Sequence, residues 1–197
     1  MISENVAQQN LALALVHHPV YNKHREVVTT AVTNLDIHDI SRAARTYGLT
    51  RYYLVTPSPD QQEMIRRIVG HWQDGWGADY NPDRREALSI VRLVPDLAAA
   101  QADFQASCAT AVRTVATGAR LRDNSIGFGR LRQELQRPAN PHLLVMGTGW
   151  GLSEELFGQC DLVLEPIRAC GEYNHLSVRS ATAIMLDRLL GETGTTG

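Results

Sequence analysis

Three groups of residues stand where chemistry could be done. The first is a glycine cluster, "GTGWGLSEE" from Gly147, directly after the apolar run "HLLVM" (142–146). Glycines at the end of a strand let backbone amides and carbonyls approach a ligand that a Cβ would hold off. A dinucleotide-binding domain places G-x-G-x-x-G after its first strand, with an acid about 20 residues on. Here the spacing is G-x-G-x-G, and Glu165 stands in for the acid. The motif comes after at least five candidate strands, with a single strand and helix still to follow. That position disfavours a Rossmann-like NAD enzyme and leaves a tight turn or another ligand.

The second group lies in "TNLDIHDISRAARTYG", with Asp36, His38 and Arg42. A guanidinium can grip a phosphate through its planar fork or steady a developing anion. Asp36 or His38 can accept a proton. Plainer roles compete: Asp36 as a helix cap, and Arg42 in a surface pair with Asp39 three positions back. The third group is "LVHHPVYNKHRE", with His17, His18, Asn22 and His24. Its spacing matches no metal-ligand pattern, so no metal is expected; a polar loop at the mouth of a site, touching substrate, fits better.

These residues need elements to hold them. Short aliphatic or β-branched runs predict strands at 11–16, 27–33, 51–56, 88–94, 111–117, 142–146 and 161–166. Helical spacing predicts helices near 38–47, 59–73, 96–106, 130–136, 152–158 and 176–190. This alternation reads as an α/β fold with a mostly parallel sheet flanked by helices. Residues 71–86, dense in Gly, Asp, Asn and Trp, read as an irregular stretch: a lid, a binding loop or, most commonly for such a stretch, a surface excursion.

Gross composition bounds the function. A chain of 197 residues, 44% of them hydrophobic, is expected to form one domain, 1–197. A net charge of -2 advertises no general affinity for nucleic acid or membranes. Cys108, Cys160 and Cys170 lack metal spacing and are odd in number, which favours a reducing, cytoplasmic setting. "MISENVAQQN" lacks the features of a signal peptide, and no apolar run approaches the ~20 residues of a membrane span.

Three polar loops follow the last three long strands: "ATGARLRDN", the glycine loop, and "LEPIRACGEYNHLS" leading into the last helix. Ligands of open α/β sheets bind beyond the strands' carboxyl ends, so these loops are expected to converge on one small molecule. Leu152 and Ile167 would flank a planar base.

Taken together, these stretches resemble the SPOUT methyltransferases. "LDIHDISRAARTYGLTRYYLV" is similar to their first motif, with Arg42 six positions before Gly48. "LLVMGTGWGLSEELF" is similar to the second, and "LEPIRACGEYNHLSVRSATAIMLDRL" to the third. "LVHHPVY", "GTGWGL" and "YNHLSVRSA" most resemble a bacterial group of RNA methyltransferases, some of them fused to tRNA guanine-N1 methyltransferase. The resemblance implies a C-terminal trefoil knot, bound S-adenosyl-L-methionine (SAM), a homodimer and an RNA substrate. It assigns the cofactor to Thr117, Gly147, Thr148, Gly149, Gly151, Leu152, Ile167, Glu172, Tyr173, Asn174, His175, Leu176 and Ser177, and catalysis to Arg42, Asp36 and His38. The chain departs from the family at Asp36, His38 and Tyr173–His175, where substrate chemistry would occur. Two functions follow: a SAM-dependent methyltransferase acting on RNA, or a SAM-binding accessory module without its own catalysis.

An RNA substrate calls for positive surface. One stretch supplies it: Arg113, Arg120, Arg122, Arg130, Arg132 and Arg137 against Asp123 and Glu134, with Phe128 as a possible stacking ring.

Overall fold

The computed structural model describes residues 2–122, 125–171 and 173–192. The chain runs α1 (Ile2–Gln9), β1 (Leu11–Val16), β2 (Val20–Tyr21), β3 (Val27–Val28), α2 (Asn34–Thr46), β4 (Tyr52–Val55), α3 (Pro59–Gln73), α4 (Trp76–Tyr80) and α5 (Pro82–Leu88). It continues β5 (Val91–Val94), α6 (Leu97–Gln105), β6 (Arg113–Ala116), β7 (Ser125–Ile126), α7 (Phe128–Leu135), β8 (His142–Gly147), α8 (Glu154–Gln159), β9 (Leu162–Leu164) and α9 (Val178–Leu190).

Seven strands form one sheet in the order β5-β4-β1-β8-β6-β9-β7, and every pairing in it is parallel. The interior strand β1 shows how sequence alternation sorts the faces. In "LALALV", Leu11, Leu13 and Leu15 pack under α1, α2, α3, α7 and α9, while Ala12, Ala14 and Val16 pack under α6 and α8. All six are buried, each leucine contributing roughly 1.5–3 kcal/mol.

Two expectations are corrected. The run 27–33 is not a strand of the main sheet: only Val27–Val28 pair, antiparallel with Val20–Tyr21. Its threonines are drawn off locally, Thr30 to His17 and Thr33 to the N-cap of α2. Within 71–86, Gly75 and Asn81 start the two short helices α4 and α5. Trp76 and Tyr80 stack there with ring centroids 4.8 Å apart, both largely exposed.

Among the described residues, no helix is long and apolar enough to cross a membrane, and no group of three metal-ligating side chains forms.

Candidate functional site

Because β8, β6 and β9 are consecutive neighbours, the three polar loops leave the same edge of the sheet side by side. The glycine loop after β8 is shaped by close approach. A Cβ on Gly147 would lie 2.6 Å from the Leu152 backbone nitrogen, so the loop folds back on itself only without one. Gly149 and Gly151 adopt positive φ, 58° and 100°, conformations L side chains avoid. The β2–β3 hairpin clamps this loop. Tyr21 accepts from the Trp150 N–H and donates to the Gly151 carbonyl, each at 2.9 Å.

A chain of hydroxyls runs beneath the loop. The Thr148 hydroxyl donates to the Val16 carbonyl (3.0 Å) and lies 2.5 Å from that of Thr30. Thr30 in turn lies 3.1 Å from His17 Nδ1. The Thr30 hydroxyl also lies 3.4 Å from the His17 carbonyl, so it ties the glycine loop to both the backbone and the ring of His17. His17 is fully buried and its Nε2 has no hydrogen-bond partner among the described residues. Burial lowers its pKa to about 4, opposed by the Asp36 carboxylate and by hydrogen bonds at Thr30 and Ala31. His17 is therefore a neutral core residue, not a member of a mobile polar loop. Asn22 does not reach outward either: its carbonyl accepts from the His24 and Glu26 N–H groups and closes the local turn.

The first-motif residues divide between two sides of α2. Asp36 is buried, and one carboxylate oxygen accepts from the Thr33 N–H (3.1 Å) and hydroxyl (2.6 Å) as a capping box. Its other oxygen faces Arg179 at 3.6 Å, and Arg179 also pairs with Asp39 at 3.4 Å. Asp36 is thus a cap and an ion-pair partner, which corrects its reading as a free proton acceptor. Asp39 is taken by Arg179, so the expected Arg42–Asp39 pair does not form. Arg42 is exposed, and among the described residues its guanidinium has no partner. His38 turns the other way, edge-on to Trp72 at 5.5 Å. Its pKa is lowered by burial, then by the Arg84 guanidinium, with Arg42 adding to the effect and Asp39 opposing it. Arg179 was missed in the sequence; a long cation in the first turn of an otherwise apolar helix was the signal.

The remaining assigned residues are spread around the three loops. Thr117 is buried and its hydroxyl donates to the Val145 carbonyl at 3.1 Å. Leu152 buries its side chain beneath α8 and bridges Val20, which leaves only its backbone for a ligand and corrects its role as a base-flanking group. Ile167 is half-buried against the opposite core. In the third loop Tyr173, Asn174, His175, Leu176 and Ser177 are exposed. Tyr173 stacks on His175, the Asn174 amide reaches the Ala119 carbonyl (3.4 Å), and Ser177 caps α9. Glu172 lies outside the described residues. Glu165 accepts from the Phe128 N–H at 2.7 Å, so it caps α7 and does not serve a ribose.

Half of the arginines in the basic stretch are engaged within the fold. Arg122 forms a two-pronged pair with Glu154 and lies over the Phe157 ring at 3.8 Å, holding the first loop against α8. Arg132 binds the carbonyls of Arg188 and Gly191, and Arg137 pairs with Glu134. Asp123 lies outside the described residues.

A family model described as SAM-dependent RNA methyltransferase matches residues 10–191, nearly all the elements above, and the chain belongs to that family. A tRNA (guanine-N(1)-)-methyltransferase of Oleidesulfovibrio alaskensis is 44% identical over 184 residues, 93% of this chain but 43% of that protein. The chain therefore spans less than half of that relative. An uncharacterized protein of Aquifex aeolicus is 39% identical over 189 residues, 96% of this chain and 90% of that one. The SpoU methyltransferase AviRb of Streptomyces viridochromogenes, solved with AdoMet, superposes with a TM-score of 0.55 at 15% identity, over 91% of this chain and 56% of that one. At that identity the likeness is one of fold.

Proposed function

We propose that this chain transfers the methyl group of SAM to RNA, with tRNA the first substrate to test. The observation that carries the reading is the glycine loop on the shared edge of β8, β6 and β9, built so tightly that no Cβ fits at Gly147. A cradle of backbone groups suits an uncharged adenosine and a zwitterionic amino acid better than a side-chain cluster would. In this reading Gly147, Thr148, Gly149, Gly151 and the Leu152 backbone hold one side of SAM. Ile167 and residues 172–177 hold the other, with Thr117 at the edge.

SAM supplies an electrophilic methyl on a sulfonium, and the displacement is in line, so the chain's task is alignment and proton removal. Arg42, exposed and without an ion-pair partner among the described residues, is suited to grip the RNA phosphate near the target. His38, kept neutral by its surroundings, retains a lone pair for a proton. Asp36 orients α2 against α9 through Arg179. The engagement of both Asp36 oxygens also supports the second reading, a SAM-binding accessory module.

A trefoil knot fits the strand order. β9 follows β6 and β7 in the chain yet lies between them, an order that a knotted connection would produce. A homodimer is supported by exposed Leu121, Trp150, Tyr173 and Leu176, all in or beside the three loops. The apolar residues of α9 give no such support, since Met185, Leu186 and Leu189 are buried within the chain. A single domain is supported by the relative whose length nearly matches. The longer relatives support its occurrence joined to a tRNA guanine-N1 methyltransferase. An RNA substrate suits a cytoplasmic location.

The test is methyl transfer from labelled SAM to unmodified tRNA transcripts and to RNA from cells lacking the gene, read by nucleoside mass spectrometry. A mark absent from those cells and restored by the protein supports the enzyme. SAM binding without transfer to either RNA supports the accessory reading. Absence of SAM binding at millimolar concentration overturns both.

A further inference from the structure

The seventh strand, β7, is two residues long and pairs Ser125 with Val163 and Ile126 with Leu164, which leaves Leu162 of β9 without a β7 partner. Below it the sheet edge is open, and a cavity of about 380 Å³ lies there. Arg113, Ser125, Ile126, Arg130, Glu134 and Leu162 line it. Strand alternation puts Arg113 on the same face as Val115, towards α7, so Arg113 from β6 and Arg130 from α7 enter from two elements.

The charge balance distinguishes these two arginines from their neighbours. Arg130 would ordinarily pair with Glu134 one helical turn on. Glu134 is instead held through one carboxylate oxygen, Oε2, which meets both the Arg137 guanidinium and the Asn140 amide at 3.0 Å. The nearby Glu165 carboxylate is turned to the Phe128 N–H. Among the described residues neither Arg113 nor Arg130 has an ion-pair or side-chain hydrogen-bond partner. Arg113, half-buried, and Arg130, exposed, therefore bring two unpaired guanidiniums to one cavity, where an anion can join them.

We propose that this cavity binds one sugar–phosphate unit of the RNA backbone, with Arg113 and Arg130 on the phosphate and Ile126 and Leu162 against the ribose. The volume exceeds what a phosphate alone needs and suits a phosphate with its sugar. Its place is suitable too. Arg113 starts β6 and Thr117 directly follows its end, roughly 13 Å away at 3.3 Å per residue, so RNA with its target at the loop edge would run a few nucleotides down this side of the sheet. The proposal rests on the RNA reading above.

The experiment uses the full chain and an unmodified tRNA transcript. Arg113→Gln/Arg130→Gln is compared with the wild type and with Arg66→Gln/Arg67→Gln on α3. RNA binding is measured between 50 and 200 mM salt, alongside AMP binding, SAM affinity and methyl transfer. The log–log salt slope of the Arg113/Arg130 variant should be shallower by about 1, as for one lost phosphate contact. Its KM for RNA should rise about tenfold with kcat and SAM affinity unchanged, while the α3 variant keeps the wild-type slope. An unchanged slope overturns the proposal. So does loss of AMP binding with RNA binding intact, which would make the cavity a site for free nucleotides. Should the double variant lose SAM affinity, Arg130→Gln alone, exposed on α7, repeats the comparison. If no RNA is methylated by the wild type, the methyl-transfer reading fails, and the salt slope still decides this site.

Discussion

His17 makes the stability of this protein depend on pH in a calculable way. Its imidazole directly follows β1, fully buried, with Nδ1 3.1 Å from the Thr30 hydroxyl and no hydrogen-bond partner at Nε2 among the described residues. Burial opposes a second proton on the ring and lowers the pKa from 6.5 to about 4. The depressed value fixes the sign. The unfolded chain takes up the proton first, so the stabilisation is present above pH 6.5 and is lost as pH falls towards 4. At 1.36 kcal/mol per unit, the full loss is roughly 3 kcal/mol, of which about 2 kcal/mol is gone by pH 5. His17→Asn is the informative change, since the asparagine amide can still donate to Thr30 but does not titrate. Urea unfolding followed by circular dichroism at pH 7.5, 6.5, 5.5 and 5.0 gives the two stability curves. The variant will be offset at every pH by the volume it loses, so only the change in the difference counts. The wild type should lose about 2 kcal/mol more than the variant between pH 7.5 and 5. Parallel curves over that range would refute the reasoning.

Gly147→Ala forces a Cβ to within 2.6 Å of the Leu152 nitrogen and must open the loop. SAM affinity by calorimetry should fall at least tenfold, whereas Gly158→Ala on α8, which meets open space, should bind SAM normally. Arg42→Ala should leave SAM affinity nearly intact and slow methyl transfer by a factor on the order of 10² if its contact belongs to the transition state. Arg42→Lys should restore little, because a point charge cannot reproduce the fork; near-normal turnover of the alanine variant would remove Arg42 from the chemistry.

The elements that sequence made legible are those whose pattern has one dominant cause. "LALALV" is a strand because each position is buried on one face or the other, and Pro59–Gln73 is a helix from a cap and an apolar stripe that act together. Failure came where two causes compete. "VVTTAVT" has the β-branched composition of a strand, but its threonine hydroxyls have nearer partners in His17, Thr148 and the α2 N-terminus. The segment 71–86 looks irregular because Gly75 and Asn81 interrupt it, and those interruptions are helix starts.

The site was legible as a set of motifs but not as a set of roles, for a physical reason. A motif fixes which backbone comes to the sheet edge; a role depends on what else arrives there. Asp36 looks like a base in isolation, yet Arg179, 143 positions later in the chain, arrives beside it and turns it into a strut. Arg42 looked bound to Asp39 by helical spacing, and the same Arg179 takes Asp39 away. Arg130 repeats this logic: its expected partner Glu134 is claimed by Arg137 and Asn140. Local spacing predicts a neutralised pair in both cases, and in both a competitor leaves an arginine uncompensated. Cations freed in this way are the ones available to an anionic substrate, which is why Arg42 and Arg130, rather than the more numerous paired arginines, are the residues to change first.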